Sequence, residues 1–138
     1  MEWNKVNTAL GWLVVDNGCL NEVGVTELDF SALTELRSIV IGSHSCKNAI
    51  EVKMVGLHKL ETVTIETCCF VPSSFGKDSI RGHFCLKDCE QLKELKIGNM
   101  AFALYGVFEI ERAFSLEKME LGNSCFSYSS FELKSLFL

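Results

Sequence analysis

Five eleven-residue stretches of this chain share one apolar pattern: LGWLVVDNGCL (10–20), LRSIVIGSHSC (36–46), LETVTIETCCF (60–70), LKELKIGNMAF (92–102) and LEKMELGNSCF (116–126). Positions one, four, six and eleven are apolar in every copy. The starts step by 26, 24, 32 and 24 residues (36−10, 60−36, 92−60, 116−92). Near-regular spacing in this range predicts a solenoid, because one such unit cannot bury its apolar side alone and must stack on its neighbours.

A second, weaker element lies outside these stretches: Leu28-Asp29-Phe30, Val52-Lys53-Met54, Phe84-Cys85-Leu86, Phe108-Glu109-Ile110 and Phe131-Glu132-Leu133. Apolar residues two apart suit a short half-buried strand. Three residues past each comes another small or apolar side chain: Leu33, Leu57, Cys89, Ala113 and Leu136. Each coil thus holds two extended runs and two turns, with little room for a long helix.

The run Leu92, Leu95, Ile97 with a further apolar Phe102 resembles a leucine-rich repeat. The Gly and Phe positions and the second short strand are most similar to the BspA-like subgroup. The resemblance spans roughly residues 10–138 and implies a β-rich, right-handed leucine-rich-repeat solenoid of about five coils. One departure stands out. The asparagine expected at position nine of the repeat is replaced by Gly18, His44, Cys68, Met100 and Ser124. No regular asparagine ladder at that position can tie the turns together.

The chain has 138 residues, enough for one domain over 1–138. Its 48% hydrophobic content and single proline argue against disorder. A net charge of −5 argues against nucleic acid, which needs a basic face to replace phosphate counterions. The apolar run 9–15 is far short of the ~20 residues that a membrane-spanning helix needs, and residues 1–5 do not resemble a secretory leader. Trp3 and Val6 are placed to cover the first coil. The sequence stops at Leu136-Phe137-Leu138, mid-repeat, so we expect a fragment whose uncapped last coil self-associates.

Seven cysteines (19, 46, 68, 69, 85, 89, 125) suggest a metal site, a disulfide involving Cys85, or reduced core residues. Zinc needs convergent Cys or His ligands, commonly as C-x₂₋₄-C pairs. Cys85 and Cys89 fit that spacing, with His83 nearby, but Cys85 should face outward between inward Phe84 and Leu86. Adjacent Cys68 and Cys69 point to opposite faces of a strand. The cysteines therefore read as reduced, small hydrophobic residues, with no metal or cofactor, in a reducing and so intracellular compartment. His44 and His58 read as surface residues. Neither a phosphate-binding glycine loop nor a nucleophile elbow is present, so the expectation is a chain without catalytic activity. Gly42, Gly98 and Gly122 read as turn residues with unusual backbone angles.

Two places suggest recognition of a protein partner. On the outward side of the strands, position three reads Trp12, Ser38, Thr62, Glu94, Lys118, and position five reads Val14, Val40, Thr64, Lys96, Glu120. The strip Trp12, Val14, Ser38, Val40, Thr62, Thr64 is neutral and partly apolar. It is either an interaction surface or simply residues of high strand propensity. The third coil carries an insertion, VPSSFGKDSIRGH, with Pro72, Ser73, Ser74 and Lys77. That stretch is either a binding loop or a surface loop free to vary. The expected function is a non-catalytic protein-binding module. The rival readings are an adhesive or structural cell-surface repeat, and the repeat region of a larger receptor or enzyme.

Overall fold

A computed structural model of the chain describes residues 9–71 and 82–125 and the backbone of 130–134. Ten short strands alternate between two sheets: β1 (Trp12–Val15), β2 (Glu27–Asp29), β3 (Ser38–Ile41), β4 (Glu51–Val55), β5 (Thr62–Ile65), β6 (Gly82–Lys87), β7 (Glu94–Ile97), β8 (Tyr105–Glu111), β9 (Lys118–Leu121) and β10 (Ser130–Lys134). One sheet has the order β1-β3-β5-β7-β9 and the other β10-β8-β6-β4-β2. Every pairing is parallel. No helix occurs among the described residues.

The described residues therefore form a helix-free parallel β-solenoid, a β-helix. It is not a leucine-rich-repeat horseshoe, and the resemblance to the BspA-like subgroup is overturned. The reason is that both halves of each coil are extended. The second apolar run pairs with its own counterparts into a complete second sheet, so the core is closed between two sheets.

Register follows the repeat. In the first sheet position three pairs Trp12, Ser38, Thr62, Glu94 and Lys118 in succession, and position five pairs Val14, Val40, Thr64, Lys96 and Glu120. In the second sheet Leu28, Val52, Phe84, Phe108 and Phe131 stand side by side. A slip of one residue would turn each apolar set to water. Leu36, Ile39 and Ile41 are fully buried, as are Leu60 and Val63, and Leu92 and Leu95. Each such side chain contributes roughly 1.5–3 kcal/mol through burial. Aromatic rings stack along the axis: Phe70 on Phe102 with centroids 4.5 Å apart, and Phe84 on Phe108 at 4.8 Å.

The corners explain why no asparagine is needed at position nine. That position adopts positive φ in every copy: Gly18, His44, Cys68, Met100 and Ser124. Position eleven does so at Leu20, Cys46, Phe70 and Phe102. Side chains other than glycine are strained there, by ~1–3 kcal/mol each. Hydrogen bonds between coils offset that strain. The position-nine N–H donates to the position-eight carbonyl of the next coil: Gly18 to Ser43 at 2.9 Å, His44 to Thr67 at 3.0 Å, Cys68 to Asn99 at 2.9 Å, Met100 to Asn123 at 2.8 Å. The position-eleven N–H donates to position ten of the preceding coil: Cys46 to Cys19 at 3.0 Å, Phe70 to Ser45 at 3.1 Å, Phe102 to Cys69 at 3.0 Å. The ladder thus continues around the bend through backbone alone.

Asparagine is used one position earlier. Asn17 Oδ1 accepts the N–H of Ser43, and Asn99 Oδ1 that of Asn123, both at 2.8 Å. Glycine follows in the next coil because the backbone of the preceding coil, and these asparagines where present, leave no room. A Cβ on Gly42 would lie 2.5 Å from Asn17 Oδ1, and one on Gly122 the same distance from Asn99 Oδ1. Neither glycine has positive φ, so close approach, not an unusual backbone angle, explains them.

Candidate functional site

The two sheets present outer faces of different chemistry. On the first, Trp12 is 68% and Val14 64% exposed. Ser38, Val40, Thr62 and Thr64 are half-buried beside them, and the Thr62 hydroxyl donates to Ser38 Oγ at 3.1 Å. All six residues of the proposed strip thus share one flat face. A shallow depression at its edge lies between Val14, Val40, Asp16 and Glu66. Pro72, Ser73, Ser74 and Lys77, the end-covering Trp3 and Val6, and the last residues Leu136 and Leu138 lie outside the described residues.

The C-terminal part of this face is charged. Glu94 and Lys118 are backbone neighbours, yet the Lys118 ammonium pairs with Glu120 of its own strand at 3.0 Å. That partner raises the pKa of Lys118 and lowers that of Glu120.

The outer face of the second sheet is laced with ion pairs. Lys53 reaches Glu27 at 3.6 Å, and Lys87 reaches Glu111 at 3.7 Å and Glu109 at 3.9 Å. The Arg112 guanidinium grips Asp88 and holds its carboxyl below the usual range. At the centre His83 lies between two carboxylates: Nδ1 is 3.4 Å from Glu51 and Nε2 2.8 Å from Glu109. Cys85 lies on the same strand two residues on, and its backbone pairs with Lys53 on one side and Glu109 on the other. Ligand atoms of His83, Cys85 and Glu109 all fall within 4.8 Å of one another.

As a nucleophile, Cys85 is poorly prepared. Burial raises its pKa, and the neighbouring Lys87 only partly opposes that. An activated thiol needs the reverse. His44 and His58 are exposed.

The remaining cysteines have packing roles. Ser45 and Cys69 occupy position ten, a buried corner. The Ser45 hydroxyl donates to the Asp16 carbonyl at 3.0 Å, and the Cys69 thiol to that of Gly42 at 3.0 Å. Position ten reads Cys19, Ser45, Cys69, Ala101, Cys125: small residues, of which Ser45 and Cys69 donate to the preceding coil while the Cys125 thiol donates to Gly122 of its own coil. Cys46 and Cys89 are buried in the core, where desolvation pushes each thiol up to about 12. All seven cysteines are unpaired.

Compared with known proteins, the chain matches no family model, no curated protein and no solved structure. No described helix is long and apolar enough to cross a membrane. The molecule is a repetitive β-solenoid scaffold, of a kind consistent with a structural or binding role.

Proposed function

We propose that the chain is a non-catalytic recognition module that binds a protein through the outer face of β1, β3 and β5. The exposure of Trp12 and Val14 side by side on that face is the observation that carries the reading. Tryptophan is among the residues enriched at binding hot spots. Parallel pairing fixes the backbone of this face, so little ordering entropy is lost on docking.

The test compares three forms of the immobilised full chain in a co-purification experiment: wild type, Trp12→Ser with Val14→Ser, and Lys53→Glu on the opposite sheet. The expected result is a protein retained by wild type and Lys53→Glu but lost with the double substitution. Equal retention by all three forms, or none by any, would refute this face as the recognition surface.

A further inference from the structure

We propose that His83, Cys85 and Glu109 bind one zinc ion on the outer face of the second sheet, with Glu51 orienting the imidazole. Three observations support this. The first is placement. Six of the seven cysteines sit at corner or core positions of the repeat. Cys85 alone lies in an outer row, whose other members are Asp29, Lys53, Glu109 and Glu132. Core volume does not account for a cysteine in a row of charges.

The second is geometry. His83 and Cys85 are two apart on one strand and so share a face, and Glu109 belongs to the next strand, ~4.8 Å away. Zinc held by Cys, His and carboxylate at ~2.0–2.3 Å keeps its ligand atoms roughly 3.3–3.8 Å apart. The observed limit is 4.8 Å, so side-chain rotations moving the ligand atoms by about 1 Å close the site. A register irregularity falls between Gly82 and His83, at the head of the strand that carries two of the ligands. Bulges of this kind commonly re-aim a side chain beside a site.

The third is the surroundings. A zinc-bound histidine usually donates its other ring N–H to a carboxylate. Glu51 is placed for that at Nδ1, leaving Nε2 toward Glu109. The nearby cations have other partners. Lys87 already contacts Glu111 and Lys53 contacts Glu27, so a metal can take Glu109 without stranding a lysine. Without metal, the imidazole lies against both carboxylates, one at each ring nitrogen. That arrangement is the rival explanation of the cluster. Three protein ligands leave the fourth zinc position toward solvent.

The experiment titrates the full chain with cobalt(II) as a spectroscopic stand-in for zinc, after removal of metal by a chelator and with thiols reduced by a phosphine. The expected result is a sulfur-to-cobalt charge-transfer band in the near ultraviolet, complete at one equivalent and abolished by one equivalent of zinc. Cys85→Ser should remove the band. His83→Gln and Glu109→Gln should weaken binding at least ten-fold, and Glu51→Gln by about ten-fold. Cys19→Ser, which alters an exposed thiol elsewhere, should leave the titration unchanged. Circular dichroism establishes that each variant is folded. Should Cys85→Ser not fold, His83→Gln decides alone, since its side chain is partly exposed. Absence of a stoichiometric band, its persistence in Cys85→Ser, or undiminished affinity in folded His83→Gln would overturn the site.

Discussion

Phe102 offers the sharpest test of how the coils are held together. Its side chain is fully buried. The ring stacks on Phe70 at 4.5 Å and meets Phe84 and Tyr105 edge-on, with centroids at 5.1 and 4.8 Å. Truncation to alanine removes a ring that three others touch. Core Phe→Ala changes remove ~3–5 kcal/mol, the size depending on whether the site collapses. Collapse is hindered here, because the Phe102 N–H is tied to Cys69 of the preceding coil. Positive φ at Phe102 is as unfavourable for alanine as for phenylalanine, so no backbone relief offsets the cavity. We therefore expect about 4 kcal/mol, a large part of the ~5–15 kcal/mol total of an ordinary domain. With 138 residues and an unfolding entropy of ~2.1 cal/mol/K per residue, 1 kcal/mol corresponds to about 3–4 °C, so Tm should fall by roughly 14 °C. Phe102→Leu should lose only about 1–2 kcal/mol. Urea titration followed by circular dichroism measures both. A loss within ~0.5 kcal/mol for Phe102→Ala, the range of surface substitutions, would refute the stacked-corner account.

Other outcomes follow from the same geometry. Tyr105 donates to the Ala49 carbonyl at 2.6 Å in the interior, so Tyr105→Phe should destabilise by ~1–3 kcal/mol by leaving that acceptor unpaired, read as a lower urea midpoint. Met100 has φ 62° and is half exposed; Met100→Gly should stabilise by about 0.5–1 kcal/mol once the larger freedom of glycine in the unfolded chain is allowed for, whereas Met100→Val should lower Tm. Cys46 and Cys89 rise from 9.0 to about 12 on folding. Between those values the unfolded chain has released protons that the folded chain keeps, so stability should be intact below about pH 9 and fall steadily toward pH 12. Stability of Cys46→Ala across the same range should fall less steeply, which unfolding at several pH values checks.

Much of the architecture was legible because period two and a repeat length leave few choices. Inward Leu36, Ile39 and Ile41, the short second strands, and the Glu94–Lys118 adjacency all follow from aligning the copies. The corners were not legible. Position nine needs no asparagine because the chain turns there through positive φ and inter-coil backbone bonds do the tying. Asn17 and Asn99 act at position eight instead, and the glycines that follow them mark the crowding that results. Strict alternation, by which Cys68 and Cys69 point to opposite faces of a strand, does not hold past the end of β5, and Cys69 is buried. Two positive-φ residues flanking position ten break that alternation and send it inward. Register sets Lys118 beside Glu94, yet its side chain turns to Glu120 on its own strand, a choice that backbone register does not decide.

The same alignment that sets Phe84 beside Phe108 also sets Cys85 beside Glu109, with His83 two residues away on the same face. Stacking the copies reveals this adjacency, whereas the spacing of cysteine pairs along the chain does not. In a globular fold, ligands for a metal are gathered from places that sequence spacing does not reveal. In a parallel solenoid the stacking brings equivalent positions of successive coils to about 4.8 Å, so a ligand set can be read as a short patch in a two-dimensional grid. The grid also separates the two outer faces. Rows three and five of the first sheet are neutral toward the N-terminus and charged toward β9. The rows of the second sheet mix acidic and basic residues around one histidine and one cysteine. Substitutions on one face are held about 10 Å from the other by two sheets packed across the core, so the zinc variants and the Trp12 variant should act independently. Their effects on stability should add to within ~0.3–0.5 kcal/mol. Clear non-additivity between Trp12→Ser and His83→Gln would mean that the two faces communicate through the core, contrary to the rigid stacking inferred from the inter-coil ladders.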